Sequence, residues 1–262
     1  MKILNTTLQD LARHFDADFL EHSIECNSEN SLLYHLTYGE TEIDVEPLLP
    51  YIKKKSTVAE LFAGAGVESY ELSAQRPEAK FYCLDLVKPF KQLKAKNVVH
   101  LEQDVLCSFT KQIEKADLIF IGGANASLAC MSTLPQIEKL FKNVHNNLSK
   151  KGVFACSSYA PEYTYSTWVT HYETYQVQFY KEFIGFTVKI FHLHYYDDTT
   201  GCMNIFHLLN LYDKKGVKQL SIHNTEPYKS YPYSQKVVLD IADGCGFKFE
   251  KNIGQYNIFK KQ

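Results

Sequence analysis

Three acidic side chains and two glycines mark where this chain could do chemistry. Glu60 lies inside the apolar run Val58–Phe62, four positions before Gly64. Gly64 and Gly66 punctuate the small-residue stretch Ala63-Gly64-Ala65-Gly66, and Asp85 closes a second apolar run, Lys80–Leu84, nineteen positions after Gly66. Glycines at 64 and 66 allow backbone dihedrals that a side chain opposes, and they let a ligand approach the main chain. Val67, Tyr70, Leu72 and Ala74 then recur at helical spacing. The free N–H groups and the positive dipole end of that helix would face the same ligand. An acid ending the next strand is placed to accept hydrogen bonds from two ribose hydroxyls. Strand, tight turn, helix and strand together make one βαβ unit of a parallel sheet.

Two details narrow this pattern. The third position of a dinucleotide fingerprint GxGxxG is occupied by Ser69, so the NAD form is incomplete. An acid, Glu60, precedes the glycine turn inside the first strand. The run Glu60-Leu61-Phe62-Ala63-Gly64-Ala65-Gly66 resembles the first motif of the class I S-adenosylmethionine-dependent methyltransferases. That resemblance implies an α/β fold: a Rossmann-like seven-stranded methyltransferase sheet with helices on both faces. It also implies the cofactor S-adenosyl-L-methionine, with Glu60 helping to hold its methionine end and Asp85 its ribose. Asp104, in Gln103-Asp104-Val105 at the end of the strand-like run Val98–Val105, matches the family's acid that reads the adenine amino group. The backbone of Val105 then meets the ring. The cofactor positions so implied are Glu60, Phe62, Ala63, Gly64, Gly66, Asp85, Leu86, Asp104, Val105 and Gly122. Phe62 stands where the family often has glycine.

The remaining elements must hold these positions in place. Ala116–Ile121 reads as a buried strand and opens into Gly122-Gly123-Ala124-Asn125-Ala126-Ser127. Ligands in an open α/β sheet sit beyond the carboxyl ends of the strands, near the switch in strand order. Asn125 is therefore a substrate candidate, with plain turn chemistry as the alternative. Leu134–Leu148 has helical period and stops at Gly152, and Val153–Ser157 follows as strand five. Gln235 and its neighbours between Ser234 and Gly244 read as the last helix, and Phe247–Ile253 and Tyr256–Lys260 as closing strands. Gly244-Cys245-Gly246-Phe247 resembles the family's turn before strand six.

Two regions depart from a minimal domain. Residues 1–50, where Leu8, Leu11, Phe15 and Phe19 recur at helical spacing, match the family's N-terminal helical lid. Tyr34 and Tyr38 are its substrate candidates, and a packing role accounts for either equally well. Residues 160–232 form an aromatic-rich antiparallel β insertion between strand five and the last helix. It contains strands over Phe186–Tyr196, Met203–Tyr212 and Val217–Thr225, joined by hairpin-like turns at 197–201 and 213–216. The core is then 51–159 with 233–262. An insertion at this place resembles that of amino-sugar N-methyltransferases and their glycine-type relatives, matched by Pro161-Glu162-Tyr163, Trp168-Val169 and His223. Under that resemblance it contributes part of the acceptor site.

Composition bounds the alternatives. A formal charge of −2 argues against a nucleic-acid groove. Only Arg13 and Arg76 supply guanidinium, so bidentate phosphate clamps are scarce. No apolar run reaches the roughly 18 residues that span a bilayer, and the N-terminus lacks a signal-like apolar core. The expectation is a cytoplasmic protein acting on a small-molecule acceptor, with no nucleic acid and no membrane; a homodimer is left open. Seven scattered cysteines with no CxxC point to buried thiols rather than to a disulfide framework or a zinc site.

Methyl transfer from a sulfonium needs alignment and exclusion of water, and no metal. A neutral amine acceptor needs little beyond loss of a proton, so one His, Tyr or carboxylate suffices. Aromatic walls suit a cationic site, and Tyr159 and Tyr195 are substrate candidates among the clustered tyrosines, which serve equally well as strand formers. His192-x-His194 places two imidazoles on one strand face without a third ligand, so no metal is expected. His171, His194, His207 and His223 are general-base candidates, and His223 is preferred on the insert resemblance. An amine-directed N-methyltransferase leads. O-methyl transfer and non-methylating use of the cofactor are the enzymatic alternatives. A catalytically silent binding or scaffold subunit, for which Phe62 speaks, belongs to another class. An NAD-dependent oxidoreductase is the last.

Overall fold

The computed structural model describes residues 24–26, 44–86, 95–122, 128–157, 169–177, 184–197, 199–224 and 227–262. Its strands, in chain order, begin with β1 (Ile24–Cys26), β2 (Thr57–Leu61), β3 (Lys80–Asp85), β4 (Val98–Glu102), β5 (Ala116–Ile121) and β6 (Leu148–Ser157). They continue with β7 (Val169–Gln176), β8 (Thr187–Asp197), β9 (Cys202–Tyr212), β10 (Lys218–Asn224) and β11 (Tyr228–Ser230), and close with β12 (Phe247–Ile253) and β13 (Tyr256–Lys261). Among the described residues, three α-helices intervene: α1 (Val67–Gln75), α2 (Leu134–Asn147) and α3 (Gln235–Gly244). The chain divides into two compact units.

One unit holds a seven-stranded sheet in the order β12-β13-β6-β5-β2-β3-β4. Strands β4, β3, β2, β5 and β6 run parallel, whereas β13 is antiparallel to both β6 and β12. Sequence alternation explains why both faces are covered. In β2 and β5, Ala59, Leu61, Ile119 and Ile121 point into one core with Ile137, Leu140, Phe141 and Val144 of α2 and Val238 and Ala242 of α3. Val58, Leu118 and Phe120 point the other way, against Leu72 of α1 and Leu48 of the 3-10 turn Glu46–Tyr51. Buried on both faces, these strands read as near-continuous apolar runs. This is the seven-stranded α/β sheet, with helices on both faces, that the family resemblance implied.

The helices start where side chains satisfy their free amides. The N–H of Thr133 donates to the Gln136 side-chain oxygen at 3.1 Å, one arm of a capping box before α2. Ser234 Oγ accepts the Val237 amide at 3.4 Å and starts α3. Helix α1 has Gly66 at its N-cap and no side-chain cap of its own.

The second sheet has the order β1-β10-β9-β8-β7, with β11 paired to β9. The three strands expected in the insertion are β8, β9 and β10, each within about a residue of its expected ends. Both expected turns are built on aspartate. Asp197 Oδ1 accepts the Thr199 amide at 3.0 Å, and Asp213 Oδ1 accepts the Lys215 and Val217 amides at 2.8 and 2.9 Å. The sheet also contains β7, β11 and β1, which the tyrosine-rich sequence did not announce. Ile24–Cys26 is a strand pairing in parallel with β10, inside the stretch expected as a helical lid. Residues 44–50 of that stretch lead into the short turn Glu46–Tyr51, and the remainder, with Tyr34 and Tyr38, lies outside the described residues.

Within this sheet His192 and His207 face each other with their Nδ1 atoms 2.9 Å apart. Burial, then the charges of His192 and His194, hold the His207 imidazole well below its ordinary range. The pair is a buried polar contact between adjacent strands, and among the described residues no group of three His, Cys, Asp or Glu could hold a metal.

The aromatic cluster behind the first sheet gives a stability expectation. Phe141 of α2 meets Phe154 edge-on at 5.1 Å and lies within 6.4 Å of Phe247 and Phe259. Replacing it as Phe141→Ala opens a cavity and should cost about 3–5 kcal/mol, read as a lowered urea midpoint at an unchanged slope.

Candidate functional site

The strand order reverses between β2 and β5, the central pair of the first sheet. Their carboxyl ends therefore flank the crevice where open α/β sheets bind ligands. Every described cofactor candidate comes from the strand ends and loops at this end.

The turn after β2 is pinned both by its neighbours and by one bond of its own. Ala63 N–H donates to the Leu84 carbonyl at 3.0 Å, and Gly64 N–H donates to Asp85 Oδ2 at 2.8 Å. Gly66 N–H closes the bend onto the Ala63 carbonyl at 2.7 Å. Three residues here hold positive φ: Phe62 at 56°, Gly64 at 51° and Gly66 at 76°. Gly66 needs its missing side chain for space as well, since a Cβ would come within 2.8 Å of Cys83 Sγ. Phe62 carries the left-handed conformation without glycine's freedom, at a cost of roughly 1–2 kcal/mol. Its ring packs against the core formed by β2, β5 and α2, which offsets that strain. The departure seen in the sequence is thus a real conformational one: phenylalanine occupies a glycine-type backbone position.

Glu60 is 1 % exposed, at the level of the turn. Its Oε2 accepts the Ser69 amide at 3.0 Å and lies 3.9 Å from Cys83 Sγ. A strand carboxylate thereby caps the first turn of α1, the turn whose N-cap glycine offers no side chain. Burial, then the charge of Glu68 and a hydrogen bond with it, push the Glu60 carboxyl well above the usual range.

Asp85 is half-buried, with one carboxylate oxygen engaged by Gly64; Leu86 beyond it is 67 % exposed. Asp104 lies just past β4, in a turn rather than in the strand. Its Oδ1 accepts the Leu106 amide at 2.8 Å, and Cys107 Sγ sits 3.7 Å from Oδ2. Asn143 of α2 donates to the carbonyls of Val105 and Cys107, both at 3.0 Å, and so ties this loop to the helix. Gly122 is buried at the end of β5, where a Cβ would fall 2.5 Å from Glu68 Oε1. The geometry thus brings Glu60, the 62–66 turn, Asp85, Asp104, Val105 and Gly122 to one end of one sheet.

The substrate and catalytic candidates fare differently. Tyr195 is half-buried on β8 and falls in the same unit as the turn. Asn125 and Tyr159 lie outside the described residues. His223 is on β10 opposite Leu208; its side chain is outside the described residues. Sequence reasoning missed Glu68 and Tyr256. Glu68 looks like an ordinary dipole-facing acid in a first helical turn, and Tyr256 like a strand aromatic. The one available signal was a buried face: Glu68 adjoins Val67 on the side of α1 that must meet the sheet.

No family model and no curated protein matches the chain. Solved structures do match its fold. The sugar N-methyltransferase KedS8 from Streptoalloteichus superposes with a TM-score of 0.66 at 13% identity, covering 92% of this chain and 96% of that one. DesVI from Streptomyces venezuelae gives 0.65 at 11% identity, covering 89% and 98%. CalS10 from Micromonospora echinaspora, an amino pentose methyltransferase solved with S-adenosylmethionine bound, gives 0.57 at 10% identity, covering 82% and 86%. The fold of this chain is that of these methyltransferases.

The strain at Phe62 can be measured. Phe62→Gly and Phe62→Ala both remove the ring, but only glycine relieves the left-handed backbone. The glycine variant should be the more stable by about 1 kcal/mol in denaturant unfolding; equal stabilities would mean that the position carries no strain.

Proposed function

We propose that this chain is an S-adenosylmethionine-dependent methyltransferase acting on a small-molecule acceptor, with an amine nitrogen as the favoured atom. The observation that carries this is the glycine turn at the topological switch point, tethered through Gly64 N–H to the strand-end carboxylate of Asp85. The residues present fit the cofactor. Asp85 is half-buried at the mouth of the crevice, where a carboxylate suits ribose hydroxyls. The loop of Asp104 and Val105 is fixed by Asn143 and is suited to an adenine edge. Glu60 supplies carboxyl chemistry beneath the turn. When bound, S-adenosylmethionine supplies an activated methyl group, and the chain's own residues need only orient, desolvate and accept a proton.

Nitrogen is favoured because two of the structures that share this fold are named as sugar N- and amino pentose methyltransferases. The proton of an amine acceptor falls to a side chain of the acceptor site, with His223 the preferred candidate and Tyr34, Tyr38, Asn125, Tyr159 and Tyr195 as lining candidates.

Calorimetric titration of the purified chain with S-adenosylmethionine should give saturable heat, and Asp85→Ala should abolish it. Full affinity in that variant would remove Asp85 from the site. His223→Ala should lower turnover of a methylated amine at least about tenfold with cofactor affinity unchanged. Unaltered turnover would take His223 off the list.

A further inference from the structure

The edge of the seven-stranded sheet opposite the glycine turn is lined with lysine. The parallel strands β2 to β6 and strand β12 begin at this edge, and the antiparallel β13 ends there. Lys55 precedes β2, Lys80 opens β3, Lys96 precedes β4, Lys115 precedes β5, Lys151 comes early in β6 and Lys248 early in β12. All six are exposed, and none has an ion-pair partner among the described residues. With strands about 4.8 Å apart, they form a ridge on the order of 30 Å long. Strand β13 adds Lys260 directly opposite Lys248, a like-charge pairing that destabilises a sheet and that Glu250, bonded to Lys260, relieves only in part. The acids at this edge are mostly taken. Glu78 pairs with Lys54 at 3.0 Å, Asp117 accepts the Thr57 amide at 3.0 Å, and Asp243 accepts from Gln262 at 3.2 Å. Glu114 stands exposed beside Lys115.

Two of these lysines hold a backbone conformation that their side chains oppose. Lys55 has φ 64° and Lys115 φ 63°, in the left-handed region that glycine enters freely. The turn at Lys55 is closed by Ser56 N–H onto the Lys53 carbonyl at 3.1 Å and by Lys53 N–H onto Ser56 Oγ at 3.0 Å. Val58 pairs with Leu118, so the two lysines, each three residues earlier, stand at one level of neighbouring strands. Like charge and unfavourable dihedrals therefore meet at the centre of the ridge, and glycine at either position would remove both. Strain that a simpler residue would relieve gathers where a surface has work to do. Nor do the lysines serve helix ends: the last turns of α1 and α3 hold no basic residue, and that of α2 holds His145.

We propose that this edge is a docking surface for a carboxylate-rich segment of a partner protein, centred on Lys55 and Lys115. Compact ammonium groups on flexible stems suit single carboxylates, whereas phosphate chains are met by arginine forks. Among the described residues the one arginine, Arg76, is committed to the carbonyls of Leu49, Ile52 and Gln75. Ser56 and Glu114 flank the central lysines, with no aromatic ring to stack a base and no apolar side chain to enter a membrane. Over the whole chain the net charge is −2, so lysine gathered here leaves the remainder net negative. An acidic partner is thus drawn to this edge and repelled elsewhere. The edge lies at the far end of the strands from the 62–66 turn, and the inference stands apart from the methyltransferase reading.

The test titrates the full chain into fluorescently labelled poly-L-glutamate and follows anisotropy. Saturable binding is expected, weakening at least about tenfold between roughly 50 and 200 mM salt. The double variant Lys55→Gly with Lys115→Gly should bind at least about fivefold more weakly. Its urea midpoint should be equal or higher, because glycine relieves the left-handed backbone. A charge-matched control, Lys229→Gln with Lys236→Gln before and at the start of α3, should keep its affinity within about twofold. No saturable binding, or equal losses in the two double variants, overturns the proposal. So does tighter binding of poly(A) RNA or of phosphatidylserine vesicles than of the polypeptide, which would assign the ridge to a phosphate polymer or to a membrane. Should the glycine pair not fold, Lys80→Gln with Lys151→Gln on the same ridge decides by the same comparison.

Discussion

The structure depends on one bend, between β2 and α1, being pinned by carboxylates from two strands. Asp85 takes the Gly64 amide and Glu60 takes the Ser69 amide. The bend closes only one bond of its own, from Gly66 N–H to the Ala63 carbonyl, and a glycine N-cap offers the helix no side chain. Hydrogen bonds to these two side-chain carboxyls supply what the local sequence lacks. The result is a main-chain surface held open at the place where strand order reverses.

That rigidity is costly, and the cost is concentrated at the site. Phe62 sits at φ 56°, and Glu60 is buried beside a second carboxyl. Strain of this kind persists only where surrounding structure over-determines it. Here the surroundings are the two cores on either face of the sheet, which fix β2 and β5 in register and leave the turn no freedom to relax.

The second sheet obeys simpler rules. Its turns are fixed by aspartates that accept amides two to four residues on, and its interior carries a buried histidine pair with their Nδ1 atoms 2.9 Å apart. Low identity to solved structures of the same fold is physically unsurprising. Layered α/β architecture is specified by the period of apolar residues, and many side chains satisfy the same period.

What the sequence determined by itself was whatever is local or periodic. The apolar runs of β2, β3 and β5, the glycine bend, the Asp197 and Asp213 turns and the helix start at Ser234 are all written in stretches of ten residues or fewer, and each forms where its pattern says. The positions of Glu60 and Asp85 at strand ends were legible for the same reason. What only the tertiary structure decided was partnership. That Asp85 would bond the Gly64 amide, that Asp104 would turn its carboxylate onto Leu106, that Glu68 would meet Glu60, and that Tyr256 would reach them from the last strand all depend on sheet order and on crossings that bring distant residues together. Strand 24–26 is the same case: three residues specify no strand until β10 offers them an edge. Period and turn chemistry act over a few bonds and so can be read along the chain, whereas burial and contact arise only when the layers close.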